Sequence, residues 1–368
     1  MTDPFGLIHQ YGLSEMHFRA DPPSGLQAII AIHNTYNGPA LGGCRFIEYP
    51  RAEDAIRDAA RLAQGMACKA ALAGLPLGGG KSVVIKPSGD FDREKLFAQF
   101  GRFVEDLGGR YITALDSGTS LQDMDIIARH TSYVSSGTRF GDCSESTAAG
   151  VFQSLQTICR KVLGPKLGPK TTFAIQGLGH VGMLLAKLLR RADARLVVCD
   201  PDPALVSEAR RELGAQVVSP DDIYHQDCDI FVPCALGGIV NDATVPQFRC
   251  SVIAGAANNQ LADDRHAKVL HERGIIFIPD FVINAGGLIH ASLRYFGHSE
   301  NEIFERIREI PLRVSTLIDT AAENHISPWE YSLGLTQQKL GEAATITPLP
   351  HQDSTPLSPP SNRSVVNR

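Results

Sequence analysis

Two lysines, Lys69 and Lys81, stand 12 residues apart in the stretch GMACKAALAGLPLGGGK, and no other charged residue lies between Arg61 and Lys86. Solvated lysines usually sit among other charges. A lysine desolvated by apolar, glycine-rich surroundings loses its proton more readily than one in water. That suits it to act as a general base, or as a cation reserved for a substrate carboxylate. On local sequence alone, two lysines whose heads reach water from a packed region fit equally well. Asp116 follows directly on an apolar strand that begins at Tyr111, and Gly118 loosens the turn behind it. A carboxylate there serves either as a helix cap or as a site group. Asn284, in INAGG ahead of a helical stretch, has the same two readings: a cap, or an amide turned to a ligand.

A second chemistry lies in the run from Thr171 to Asp200. An apolar strand leads into Gly177-Leu178-Gly179-His180-Val181-Gly182. A helical pattern and a second apolar strand follow, ending at Asp200. Gly177 permits the tight turn, Gly179 lets a pyrophosphate approach the backbone, and Gly182 lets helix and strand pack closely. The helix start offers free N–H groups and a positive dipole end to the phosphate. Asp200 lies 23 residues past Gly177, the offset expected of a carboxylate that binds the adenosine ribose. It would repel a 2′-phosphate, and so would Asp202 if it points the same way, so NAD is expected rather than NADP. Arg195 and Arg210 would change this balance if they faced the same site.

These groups need elements to hold them, and the chain has room for two domains at 368 residues. Residues 1–50 read as β-rich, 52–66 as a helix, 74–80 as loop and 82–85 as a buried strand. A helix over 91–107, a strand at 111–114 and a capping box at Ser120–Asp123 follow. A long helix is expected near 145–163. Beyond Asp200, strands near 216–219, 229–233, 251–255 and 275–279 alternate with helices near 203–213, 263–273 and 285–296. Asn258 and Asn259 fall just after such a strand, where an α/β fold meets its ligand. A helix over 300–324 closes the series. The fold class expected is α/β: a mixed α/β substrate domain (1–145) and a doubly wound Rossmann domain (146–327). Residues 328–345 are expected to pack back on the first domain, and 346–368 read as a disordered tail.

Composition narrows the class further. The chain is 43% hydrophobic and 20% charged, with a net charge of −5 and no basic cluster, which argues against a nucleic-acid binder. The eight cysteines form no CxxC, and the twelve histidines show no HxxxH or HExxH, so no metal site is expected. No signal peptide or membrane span is indicated. A reduced, cytoplasmic protein is expected.

The blocks GPALGGCR, GMACKAALAGLPLGGGK, RYITALDSGT, QGLGHVG, CDIFVPCALGG, IAGAANNQL and PDFVINAGG, in this order from about residue 10 to 340, resemble those of the leucine, valine, phenylalanine and glutamate dehydrogenases. The resemblance implies that Lys69 holds the substrate α-carboxylate, that Lys81 is the catalytic base and that Asp116 is the catalytic acid–base. It places Asn284 near the substrate and Thr147 at the nicotinamide. It puts Ala235, Asn258 and Asn259 in cofactor-contacting loops. It implies oxidative deamination with NAD, a closing hinge, and a homo-oligomer anywhere from dimer to octamer. A non-catalytic nucleotide-binding protein need not keep Lys69, Lys81 and Asp116 together.

Specificity is partly legible. Glutamate-specific members carry a lysine where this chain has Leu41 and a serine where it has Ala291. A pocket of Leu41, Gly42, Ala114, Leu288 and Ala291 is expected to be apolar, since a second carboxylate buried there would have no partner. Leucine, valine or isoleucine is the first expectation. The small Ala291 leaves phenylalanine or tryptophan as the alternative. Leu115, Cys44 and Cys68 depart from the residues more usual in leucine dehydrogenases, and the segment before Thr147 lacks the usual prolines.

Overall fold

The computed structural model describes residues 3–138, 140–164 and 167–346. The tail expected from 346 onwards lies, past Ile346 itself, outside the described residues. Two compact units form: unit 1 takes in the chain to Gly141, Ala291–Glu300 and the chain from Gln338, and unit 2 takes in Asp142–His290 and Asn301–Gln337. Among the described residues no helix is long and apolar enough to cross a membrane.

Unit 1 runs α1 (Pro4–Tyr11), β1 (Glu15–Asp21), β2 (Leu26–Asn34), β3 (Ala40–Ile47), α2 (Ala52–Ala73), β4 (Gly78–Ile85), α3 (Arg93–Glu105), β5 (Tyr111–Leu115) and α4 (Leu121–Ala128). Helix α1 falls in a segment expected to be β-rich. Asp3 caps it by accepting from the Phe5 N–H, with Pro4 inside its first turn. The sheet order is β1-β2-β4-β3-β5, and β4, β3 and β5 run parallel. Strand β2 is apolar from Ala28 to Ile32 because both its faces are covered there. Ile30 and Ile32 join Phe97, Phe100 and Phe103 on one side. Ile29 and Ala31 join Ala55, Ala59 and Ala63 on the other.

Two expectations are corrected here, and both concern the lysines. Helix α2 does not stop near 66 but continues to Ala73, so Lys69 is helical. A run of alanines with high helix propensity carries the helix through Gly65, and Gly74 ends it in the left-handed region at φ 61°. The glycines at 78–80 are strand, not loop. They are glycines because other backbone comes close. A Cβ at Gly79 would lie 2.2 Å from the Ala67 nitrogen of α2, and one at Gly78 would lie 1.8 Å from the Asn34 carbonyl oxygen. Lys81 therefore sits in the middle of a central strand.

The expected capping box is present. The Ser120 side chain accepts from the Asp123 N–H, and Asp123 Oδ2 accepts from the Ser120 N–H at 2.7 Å. Arg93 donates to both Asp123 oxygens at 2.7 Å and to the Gly118 carbonyl at 2.9 Å, with its guanidinium over Phe46 and Phe97. This clamps the turn that carries Asp116. Burial pushes the Asp123 carboxyl up, but Arg93 and Ser120 outweigh it and hold it below the usual range. Asp123→Asn is expected to cost about 2 kcal/mol by chemical denaturation. The loss is full above the ordinary carboxyl pKa of about 3.9 and fades as the pH falls through the depressed native value. Equal stabilities at neutral pH would refute the clamp.

Unit 2 comprises α5 (Ser144–Ile158), β6 (Thr172–Gln176), α6 (His180–Arg191), β7 (Arg195–Cys199), α7 (Pro203–Leu213), β8 (Gln216–Val217), β9 (Ile230–Pro233), β10 (Val252–Ile253), α8 (Arg265–Glu272), β11 (Ile276–Phe277), α9 (Asp280–Ile283), α10 (Gly286–Tyr295), α11 (Glu300–Ile307), α12 (Ile310–Glu323) and α13 (Pro328–Ile346). Ala291 to Glu300 and the chain from Gln338 group with unit 1. Helix α5 passes into a π-helical turn over Cys159–Leu163. The helix expected over 300–324 is broken ahead of Pro311, which lacks an N–H and whose ring clashes with the preceding turn. The parallel sheet has the order β11-β10-β9-β6-β7-β8. That is the doubly wound arrangement, with its switch point between β6 and β9. In α13, Trp329 packs on Phe277 and Phe281.

Candidate active site

Unit 1 brings Lys81 and Asp116 into contact. Lys81 projects from β4, Asp116 follows the last residue of β5, and Lys81 Nζ pairs with Asp116 Oδ2. Both side chains are largely shielded from water, at 7% and 14% exposure. Burial opposes the Asp116 charge, but Lys81 and then Arg45 outweigh it and hold the carboxyl below its usual range. The turn is pinned locally. The Asp116 N–H donates to Thr119 Oγ1 at 3.0 Å, and the Thr119 hydroxyl donates to the Asp116 carbonyl at 2.7 Å. Asp116 is therefore not a helix cap; Ser120 has that role.

The glycines beside the pair make room for it. A Cβ at Gly43 would lie 2.7 Å from the Asp116 Cβ. The buried Tyr111 hydroxyl bridges the Gly42 carbonyl, at 2.7 Å, and Ser82 Oγ, at 3.0 Å, so it fixes β3 and β4 next to Lys81. Leu41 is buried opposite Ile112, and Gly42 and Gly43 lie opposite Thr113 and Ala114. Lys69 is buried on α2. Sequence reasoning missed Arg45, whose Nε is 3.5 Å from Asp116 Oδ2. The available signal was a charged residue in the otherwise apolar strand ALGGCRFI.

In unit 2 the glycine turn has the expected form. Gly177 has φ 97° and packs against Ala235, a Cβ at Gly182 would meet the Gly177 carbonyl oxygen at 2.1 Å, and Gly179 faces open space. No side chain caps α6, so its first N–H groups stay available. Asp200, at the end of β7, accepts from the Leu178 N–H at 2.7 Å and the Asp202 N–H at 2.9 Å. The Asp202 carboxylate caps α7 through Ala204 at 2.8 Å. A cleft of about 760 Å³ opens here between Gly179, His180, Met183 and Leu205. Asp142 and Glu145, which the sequence did not single out, also line it.

Val181 lies in the first turn of α6, and Thr147 lies on α5. A Cβ at Gly287 would come within 2.8 Å of Thr147 Oγ1. Asn284 does not cap α10. Its amide donates to the Ala256 carbonyl at 3.0 Å and to Asn258 Oδ1 at 2.9 Å, which ties down the loop after β10. Its own Oδ1 is buried with no hydrogen-bond partner among the described residues. The Asn259 N–H donates to Asp280 Oδ2 at 2.8 Å. Leu288 and Ala291 are buried on α10. An open glycine turn at an uncapped helix with an acidic residue ending the second strand has the form of a dinucleotide-binding turn, and unit 1 separately holds a buried lysine–aspartate pair.

Comparison with known proteins narrows the class. Residues 13–133 match the family model described as Glu/Leu/Phe/Val dehydrogenase, dimerisation domain, and residues 202–330 match that of Glutamate/Leucine/Phenylalanine/Valine dehydrogenase. The chain is 41% identical over 340 residues to leucine dehydrogenase of Geobacillus stearothermophilus, covering 91% of this chain and 93% of that one. It is 41% identical over 325 residues to phenylalanine dehydrogenase of Lysinibacillus sphaericus, covering 85% and 84%. The crystal structure of L-tryptophan dehydrogenase from Nostoc punctiforme superposes with a TM-score of 0.78 at 36% identity, covering 93% of this chain and 99% of that one. The chain belongs to the Glu/Leu/Phe/Val dehydrogenase family, as the resemblance implied, and is an amino-acid dehydrogenase acting on CH–NH2 donors.

Proposed function

We propose that the chain catalyses reversible, NAD-dependent oxidative deamination of a branched-chain L-amino acid, leucine, valine or isoleucine, to the 2-oxo acid and ammonia. The observation that carries this is the buried contact between Lys81 and Asp116, on a sheet where Leu41 offers no partner to a side-chain carboxylate. Lys69 binds the substrate α-carboxylate. Asn284 is the asparagine that the resemblance places near the substrate. NAD held by the glycine turn of unit 2 would supply the hydride acceptor that converts the amino acid to its imino acid. Lys81 acts as general base on the water that attacks the imine carbon. Asp116 moves the proton at the nitrogen as ammonia leaves.

The dinucleotide residues fit NAD. Gly177–Gly182 and the α6 N-terminus receive the pyrophosphate, Asp200 the ribose, and Thr147, Ala235, Asn258 and Asn259 the nicotinamide side. Residues 1–145 serve as the substrate domain and 146–327 as the cofactor domain, in a cytoplasmic homo-oligomer. The match of 13–133 to a dimerisation domain supports assembly. The buried, small Ala291 favours a second reading, the same chemistry on phenylalanine or tryptophan.

The test is reduced-nicotinamide formation by the purified protein, with NAD or NADP, on leucine, valine, isoleucine, phenylalanine, tryptophan and glutamate. Highest kcat/KM on the aliphatic substrates with NAD is the expected result. An aromatic preference would replace it with the second reading, and NAD binding without turnover of any amino acid would refute both.

A further inference from the structure

Asp116 has a second positive neighbour that the proposed chemistry does not use. Arg45, on β3, is anchored from behind. Its Nη1 donates to Asp58 Oδ2 at 2.8 Å, and the Tyr49 hydroxyl donates to the same oxygen at 2.6 Å. Arg61 Nη2 lies 3.6 Å from the other Asp58 oxygen. The Arg45 Nε points the opposite way. It stands 3.5 Å from Asp116 Oδ2 and has no hydrogen-bond partner among the described residues. The arginine, Asp58 and Asp116 side chains are 17%, 15% and 14% exposed. A buried N–H without a partner is costly, so the orientation calls for a role.

The reaction supplies one. A lysine that serves as base changes its charge during turnover, and while it is neutral the buried Asp116 carboxylate loses that counter-charge. A guanidinium does not deprotonate in proteins. We propose that Arg45, oriented by Asp58 and Tyr49, is a positioning residue that supplies the constant positive charge holding the Asp116 carboxylate in place. This rests on the catalytic reading of Asp116. The groups facing that carboxylate are Lys81 from β4, Arg45 from β3 and the Ser117 N–H of its own turn, with the buried Cys44 of β3 within electrostatic reach. Asp58, Tyr49 and Arg61 stand behind Arg45.

The experiment is the pH profile of kcat/KM for leucine oxidation by the full-length enzyme. Arg45→Gln is expected to move the acid limb up by about one pH unit or more, and Arg45→Lys to restore most of that shift. Asp58→Asn loosens the anchor but keeps the charge, so its limb is expected to rise by clearly less than that of Arg45→Gln. If Asp58→Asn raised the limb as far as Arg45→Gln does, the shift would report disturbed packing and the proposal would fail. An unmoved limb in Arg45→Gln would also overturn it. Should Arg45→Gln not fold, the double variant Arg45→Gln/Asp58→Asn, which leaves no unpaired carboxylate behind, decides by the same limb. Asp116→Asn separates the two ideas. Full activity there removes the catalytic reading itself, whereas loss of activity there with an unmoved Arg45→Gln limb removes only the role of Arg45.

Discussion

Replacing Lys81 with alanine is expected to lower kcat by roughly 10²–10⁴-fold, the scale of losing a positioned general base, while NAD binding is unchanged. Lys81 is held in the middle of β4 between β2 and β3, so no neighbouring side chain can take its place without moving a central strand. The dinucleotide residues belong to unit 2 and have no part in the change. Steady-state turnover with leucine, paired with an NAD titration of the same preparation, reads both quantities. A variant that turns over at the wild-type rate would remove Lys81 from the chemistry. One that also lost NAD binding would point to a folding defect instead.

The second large effect is expected at Gly182. Its missing Cβ would lie 2.1 Å from the Gly177 carbonyl oxygen and 3.2 Å from the Cys234 Cβ. Neither the turn nor the loop after β9 is a flexible side-chain end, so Gly182→Ala must displace the start of α6 from the turn. We expect a loss of about 1–3 kcal/mol in stability and a fall in NAD affinity of more than about tenfold, since the N–H groups proposed to receive the pyrophosphate move with the helix. Gly179→Ala is the control. Nothing lies within 4 Å of its absent Cβ, so it should keep wild-type stability and lose affinity only by crowding the phosphate. Isothermal titration with NAD and denaturant unfolding distinguish the two. Wild-type affinity in Gly182→Ala would show that the turn adapts.

The contrast between these glycines also marks how far sequence reasoning reached. The turn at Gly177–Gly182 was legible because its spacing fixes each glycine's local task, and the strand and helix on either side carry their own apolar periods. The capping box at Ser120 was legible for the same reason. Gly78–Gly80 was not. Glycine there answers to Asn34, Ala67 and Tyr111, residues far off in the chain, and a run of three glycines reads locally as loop. Gly65 misled in the same way, because the alanines after it and the close packing of α2 on β4 outweigh one weak helix former. The resemblance gave Lys81 and Asp116 their roles but not their contact, since nothing between residues 81 and 116 gives the order β4-β3-β5. Arg45 escaped because its partners, Asp58 and Asp116, lie on two other segments of the chain.

Asp200 has a consequence for the order in which substitutions can accumulate. One oxygen of its carboxylate accepts from Leu178 inside the glycine turn, and the other accepts from Asp202. The group proposed to exclude a 2′-phosphate is therefore also the clasp of the turn. Its loss leaves the Leu178 N–H without its acceptor before any new cofactor contact is gained. An evolutionary route toward NADP must first install another acceptor for Leu178 and only then give up the acid, so the single-step exchange passes through a weakened intermediate. The proposed preference for NAD would thus be tied to the architecture of the turn as well as to charge.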